Sequence, residues 1–245
     1  MKKIRNYILT TELLEAYQNA ALKNASELME EAKLLLSNKH YARAYFLALS
    51  SIEETGKAHL AFDAKGRNFS NGGVCEIIKQ KFENHSNKIT SAFICWLNST
   101  KLSEAEEFIK SATKLMIDLK YGREKSMYID VKENDQSISI PSEMVRPIAA
   151  ENCVSLSYNC LHYTKIYIDK NIPIKRTSYE NQLICMNQKD LSQMLNTKDF
   201  WEFLLSEWKE GNADWATVTV KYHSCYHQKK KMFNVENINE TQIEK

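Results

Sequence analysis

Two adjacent carboxylates and a lysine stand inside an otherwise apolar run, ALSSIEETGKAHLAF, at residues 48–62. On a helix each residue turns by about 100°, which puts Glu53 in the middle of the apolar stripe and Glu54 and Lys57 on a polar stripe beside it. Lys57 follows Glu53 by four residues, a favourable spacing for a helical ion pair. Because a buried charge needs a partner, the run indicates either a structural Glu53–Lys57 pair at a helix seam or a polar functional site.

A histidine between two lysines, in the segment KFENHSNK at residues 81–88, is the second candidate. A lone histidine on an apolar helix face is commonly a hydrogen-bonded core residue. Lys81 and Lys88 favour another interpretation, because two ammonium groups about one turn from the imidazole form a notch for a phosphate and keep the ring neutral, as a base. On one continuous helix His85 shares its face with the apolar residues Ile78, Phe82, Ile89, Ala92 and Trp96.

A group of cations closes the predicted fourth helix in the segment LKYGREKSMYID, residues 119–130. Lys120, Arg123 and Lys125 cluster there beside Tyr128 and Asp130. Cations at a helix C-terminus complement the helix dipole and contribute about 0.3–1 kcal/mol each, so the cluster has a purely structural interpretation. A functional site is the other interpretation that this segment leaves open.

The elements that must position these residues are predicted to be helices, because the chain of 245 residues has only 6 Gly and 3 Pro. Several helices have start or stop signals, such as Thr10 and Thr11 before the first, Asn38 before the second and Gly66 after it. From residue 127 to residue 141 the helical period is lost, which predicts an extended loop or a small hairpin. The predicted helices cover about residues 11–37, 39–65, 74–97, 103–122 and 147–169.

These patterns predict an all-α fold with two parts. Residues 1–172 are expected to form a helical bundle with the small extended or hairpin insertion. Residues 173–245 have shorter patterns, such as QKDLSQML and TKDFWEFLLSEWKEG. We expect them to form a C-terminal appendage that is mostly helical and ends in a solvated tail.

Charge and composition limit the classes of function. The 33 Lys and Arg against 31 Asp and Glu give a formal net charge of +2, too small for a general attraction to nucleic acid, so any such site is local. The 6 cysteines include no CxxC pair, which favours reduced thiols in the cytoplasm. The N-terminus has no apolar signal region and the chain has no long apolar run, so we expect a soluble cytoplasmic protein without a membrane segment.

The segment HSCYH, in which His223, Cys225 and His227 alternate, has the residue types of a metal site. On a strand the three side chains share one face, but on a helix they diverge, and no further ligand set is evident. We therefore expect neither a metal nor another cofactor. The basic residues 229–231, beside Tyr226 and Phe233, are typical of a solvated charge run, with contact to nucleic acid as the alternative.

Three blocks in order resemble a known family: YARAYFLALSSIEETGKAHLA, KFENHSNKI, and GREKSMYIDV followed by a proline and a long helix. They are similar to the abortive-infection proteins of the AbiV type, bacterial phage-defence factors of the HEPN helical superfamily, over about residues 10–170. The resemblance implies a HEPN-like helical bundle that often forms a homodimer. It also implies metal-independent RNA cleavage, with arrest of translation in the infected cell as the outcome.

In such RNases a histidine moves the proton of the ribose 2′-OH, an arginine stabilises the charge of the phosphorane, and a cyclic phosphate results. The usual superfamily motif has an arginine separated from a histidine by four to six residues, and this chain has no such pair. The residues that the resemblance assigns to catalysis in its place are His85, Lys88 and Arg123, with Glu53, Glu54 and Lys57 to orient the imidazole and balance the charges. The residues expected to bind the substrate are Lys81, Lys120, Tyr128 and Asp130.

Two functions are therefore expected from the sequence. The first is an RNase toxin that is activated by a phage-encoded protein and cleaves RNA. The alternative is a non-catalytic helical module that recognises a phage or host protein through a helix face.

Overall fold

The structure is a computed structural model that describes residues 7–99, 103, 106, 116, 119, 126–131, 136–212 and 214–225. Over these residues it is helical apart from loops and one two-stranded sheet, which confirms the predicted all-α fold with a small hairpin insertion and a helical C-terminal part. None of the described helices is long and apolar enough to cross a membrane.

Contacts divide the chain into two compact units. The first consists of Met1–Gly66 and Ile78–Lys175, and the second of Arg67–Ile77 and Arg176–Lys245. The division of the chain into domains 1–172 and 173–245 stays a prediction.

The helices predicted over about residues 11–37, 39–65 and 147–169 begin and end close to those positions. The first four helices are α1 Thr11–Ser37, α2 Tyr41–Ala64, α3 Gly72–Glu83 and α4 His85–Ser99. They are followed by strands β1 Asp130–Val131 and β2 Ile138–Ser139, and then by α5 Pro141–Met144 and α6 Pro147–Lys170. The last are α7 Ser178–Cys185, α8 Gln188–Leu195 and α9 Lys198–Lys209, and residues 215–225 are helical as well.

Helix α2 is the centre of the first unit and packs against α1, α4 and α6. Small residues allow this, because alanine side chains let neighbouring helices approach closely. Ser51 of α2 joins its neighbours by buried hydrogen bonds: its Oγ donates to the carbonyl of Ala25 at 2.7 Å and accepts from Ser157 Oγ at 2.8 Å. The buried apolar core of this unit includes Ala48, Leu49, Ile52, Ile89, Ala92, Phe93, Cys153 and Leu156.

Helix α1 begins where the sequence predicts, because Thr10 Oγ1 accepts a hydrogen bond from the backbone N–H of Leu13 at 3.1 Å. The predicted cap of α2 is wrong by two residues. Asn38 instead closes α1, since its side-chain amide donates to the carbonyl of Leu34 at 2.8 Å, and α2 starts after His40. Lys39, between them, has the left-handed backbone conformation with φ 61°.

The single helix predicted over residues 74–97 is interrupted at Asn84, and this is the main correction to the sequence analysis. The Oδ1 of Asn84 accepts from the backbone N–H of Asn87 at 2.9 Å, so this residue ends α3 and caps α4. His85 is therefore the first residue of a helix and not the middle of an apolar stripe.

The fourth predicted helix lies largely outside the described residues. Ser103, Glu106, Met116 and Leu119 are described and helical, and Leu119 is buried in the core of the first unit. The described segment resumes at Ser126 and forms the predicted hairpin, in which Asp130 pairs with Ser139 and Val131 with Ile138.

The second unit contains a small core of its own, made by Met194, Phe200, Leu204 and Val218. Its helix α7 begins with a capping box, because Thr177 Oγ1 accepts from the N–H of Glu180 while the Glu180 carboxylate accepts from the N–H of Thr177. The predicted solvated tail from residue 234 lies outside the described residues.

Candidate functional site

A carboxylate, an imidazole and an ammonium group meet between α2 and α4. The Oε2 of Glu53 accepts from Lys88 Nζ at 2.6 Å and lies 2.8 Å from His85 Nδ1, while Oε1 lies 2.9 Å from the same nitrogen. Lys88 Nζ is 3.3 Å from His85 Nδ1. We call these three residues the Glu53 cluster.

The cluster forms because α2 and α4 are in backbone contact beside it. A Cβ atom added to Gly56 would lie 1.8 Å from the carbonyl oxygen of Lys88, so only glycine fits at that position. Gly56 comes three residues after Glu53, which brings the carboxylate to the start of α4. There His85 and Lys88 are three residues apart and share one helix face.

The two charged members are buried and the histidine is not. The side chains of Glu53 and Lys88 are 7% and 6% exposed, whereas that of His85 is 50% exposed. Burial, the largest single effect, raises the pKa of Glu53, but the hydrogen bonds and charges of Lys88 and His85 outweigh it and hold that pKa below 4.5. Glu53 is therefore ionised at neutral pH, and Lys88 balances its charge.

The hydrogen bonds of the cluster assign the tautomer of His85. An ionised carboxylate only accepts, so the Nδ1–H of His85 donates to Glu53, and Lys88 donates to the same carboxylate and not to Nδ1. In the neutral form of the ring the lone pair is then on Nε2, and half of the side chain is exposed. A carboxylate that holds an imidazole in this way fixes the orientation of the ring.

Lys57 pairs with Glu54, three residues before it, so the structural Glu53–Lys57 pair expected from the sequence is wrong. The reason is orientation: Glu53 faces α4 and bonds Lys88, whereas Glu54 and Lys57 share the adjoining stripe. The Glu54 and Lys57 side chains are 19% and 22% exposed, so their ion pair lies at the edge of the buried region.

The other predicted site residues lie in three parts of the chain. Arg123 and Lys120 lie outside those residues. Tyr128 is 56% exposed before the hairpin, and Asp130 is exposed on β1, where its carboxylate accepts from the N–H of Val131 at 2.8 Å. Lys81 is partly buried near the end of α3.

Sequence reasoning missed a second polar pair between α2 and α4. His59 Nδ1 lies 2.7 Å from Ser91 Oγ, and both side chains are buried. Burial lowers the pKa of His59 and outweighs the opposite effect of Asp63, so this imidazole is neutral and stabilises the helix contact. The sequence feature that indicates this pair is Ser91, which follows Lys88 by three residues and so lies on the same face of α4.

Metal chemistry has no ligand set in the described part of the chain, where no group of three or more His, Cys, Asp or Glu side chains could hold an ion. His223 and Cys225 are helical residues, and His227 lies outside the described ones.

Three cysteines, Cys95, Cys153 and Cys160, are buried. Burial raises the pKa of the Cys95 thiol to about 12.

Comparison with known proteins identifies the family of this chain. The AbiV family of HEPN proteins matches residues 13–162, more than half of the 245 residues, and Glu53, His85 and Lys88 lie within the match. The chain belongs to the AbiV-type HEPN family and is an abortive-infection protein of the HEPN type. No curated protein and no solved structure matches it.

Proposed function

We propose that this protein is a phage-defence factor that cleaves RNA without a metal and arrests translation when a phage-encoded protein triggers it. The observation that supports the proposal is the half-exposed imidazole of His85, held at Nδ1 by a buried, ionised carboxylate. This arrangement suits a general base, because the orientation of the ring is fixed while Nε2 can accept a proton.

In the proposed reaction, His85 Nε2 takes the proton of a ribose 2′-OH, and the oxygen attacks the adjacent phosphorus. The 2′-O–P bond forms and the P–O5′ bond breaks, which leaves a cyclic phosphate. The 5′-oxygen leaves with a proton returned by the imidazolium. The proposed step needs no oxidant, reductant or metal.

The remaining charges have separate proposed roles. Lys88 neutralises Glu53, so Arg123 is the residue that we propose for stabilising the phosphorane. Glu54 and Lys57 support the cluster as an ion pair on the adjoining stripe. Further contacts to the RNA are proposed for Lys81, Lys120, Tyr128 and Asp130. The protein is proposed to act as a homodimer in the cytoplasm.

A non-catalytic binding module is the second candidate, and the hairpin favours it. Ile129, Val131 and Ile138 are 69%, 60% and 61% exposed, and grouped apolar side chains on a surface commonly mark a site for a protein partner. In this alternative the Glu53 cluster only stabilises the bundle.

One experiment separates the two candidates. Six proteins are expressed with and without phage infection, and RNA 5′ ends are sequenced: wild type, His85→Ala, Arg123→Ala, His85→Ala/Arg123→Ala, Val131→Ser/Ile138→Ser and the control His162→Ala. His162 is an exposed histidine that stacks on Tyr158 of the same helix, so its variant removes an imidazole away from the cluster.

The RNase proposal expects new 5′ ends and growth arrest with wild type and His162→Ala, and neither with His85→Ala, at equal protein levels. Cleavage that survives in the His85→Ala/Arg123→Ala double variant excludes it. Defence with intact RNA, lost on Val131→Ser/Ile138→Ser, supports the binding module.

A further inference from the structure

A cationic cavity lies in the first unit where α1 turns into α2, apart from the Glu53 cluster. Its volume is about 500 Å³, within the usual range for small-molecule sites, and its wall combines residues 39–43 with residues 126, 127, 129 and 140–142. None of its lining residues is a member of the Glu53 cluster.

The described lining of the cavity carries the positive charges of Lys39 and Arg43. Lys39, His40 and Arg43 line the cavity, and no described lining residue is acidic. Within the part of the chain that the structure describes, neither Lys39 nor Arg43 forms an ion pair. Two uncompensated cations beside a concave surface attract an anion of matching size.

The local fold fixes the backbone that carries these exposed side chains. The backbone N–H of His40 donates to the carbonyl of Leu35 at 2.9 Å, and Lys39 holds the left-handed conformation between the two helices. His40 makes no side-chain capping bond and the first turn of α2 has no acidic residue, so the helix adds its own positive N-terminal end to the side chains.

Apolar residues also line the cavity, together with Ser126 and Ser142. Tyr41 lines it from α2, and Met127 and Ile129 line it from the segment that leads into β1. A bound inorganic anion would leave the apolar lining residues exposed to water. An uncharged apolar molecule would leave Lys39 and Arg43 without a counter-ion. The combination fits a molecule with an anionic end and a flat or apolar body.

We propose that this cavity binds a small phosphorylated molecule with an aromatic body, the class to which nucleoside monophosphates belong. The phosphate lies against Lys39, His40 and Arg43, and the base lies against Tyr41 and Ile129. The proposal does not depend on RNA cleavage, because it concerns other residues and is tested by binding alone.

The test is calorimetric titration of the purified full chain with AMP, GMP, CMP and UMP. Adenosine, inorganic phosphate and an RNA octamer without terminal phosphates are titrated as comparison ligands. The variant Lys39→Asn/Arg43→Gln removes both fixed charges, and asparagine suits the left-handed conformation at 39 while glutamine suits the helix at 43. The control Lys23→Gln/Lys165→Gln removes two exposed charges elsewhere on the first unit.

The expected result is one site for at least one nucleotide, weakened tenfold or more by the cavity variant and unchanged by the control. Adenosine and inorganic phosphate should each bind at least tenfold more weakly than that nucleotide. The proposal is overturned if no nucleotide binds at millimolar concentration, if the cavity variant binds as wild type does, or if only the octamer binds. Unchanged far-UV circular dichroism shows that the variants are folded.

Discussion

Replacement of Glu53 by glutamine tests whether its charge compensates Lys88 in the core. The substitution keeps the shape of the side chain but leaves an ammonium group that is only 6% exposed without its counter-ion. Loss of one partner of a buried ion pair costs about 3–5 kcal/mol, and the amide oxygen still accepts one hydrogen bond, so we expect about 3 kcal/mol. For a chain of this size that loss lowers the melting temperature of the first unit by about 6–12 °C.

The neighbouring substitution Glu54→Gln is a matched control, because it makes the same chemical change one residue along the same helix. Its partner Lys57 is 22% exposed, and pairs at the surface contribute about 0–1 kcal/mol. Thermal and urea unfolding of both variants, followed by circular dichroism, measures the difference. Equal losses for Glu53→Gln and Glu54→Gln would refute the conclusion that the Glu53 cluster is a buried, charge-compensated site.

Three further predictions concern the same contact. Gly56→Ala should destabilise the first unit by about 1–3 kcal/mol or more in urea unfolding, because its Cβ meets the carbonyl oxygen of Lys88 at 1.8 Å; wild-type stability would contradict the close approach. The folded pKa of Glu53 lies below 4.5, so the unfolded chain takes up the proton first on acidification. The stabilisation by ionised Glu53 is therefore complete above about pH 4.5 and is lost as the pH falls through the folded pKa. The difference in unfolding free energy between wild type and Glu53→Gln should shrink in that acidic range and should not change above pH 6. The double variant Glu53→Leu/Lys88→Met should fold with a stability within about 1–2 kcal/mol of wild type yet lose RNA cleavage; full cleavage in a nuclease assay would remove Glu53 from the mechanism.

The burial of Glu53 could be predicted from the sequence, and the identity of its partner could not. Periodicity places Glu53 on the apolar stripe of α2, and the structure buries it there. Local spacing favours Lys57, four residues after Glu53, because an ion pair within one helix can be predicted without the tertiary structure. The observed partner, Lys88, is 35 residues away, and only the packing of α4 on α2 brings it within reach.

The break at Asn84 was missed for a related reason. An asparagine within a helical hydrophobic pattern is typical of a polar surface position. Because α4 begins at the next residue, the break hardly disturbs the spacing of the apolar residues. Asparagine is nevertheless among the best N-cap residues, since its side chain accepts a backbone N–H of the first turn. Capping preference was the available signal, and the strength of the hydrophobic period outweighed it.

The position of His85 follows from this break and from the close contact at Gly56 together. On an uninterrupted helix the ring would face the core, where burial disfavours its protonated form and excludes substrate. At the start of α4 one edge of the ring is bound to the carboxylate of Glu53, while half of the side chain is exposed. A base must keep its orientation and still reach a reactant, so the helix interruption and the backbone contact provide two separate requirements of the general base that we propose.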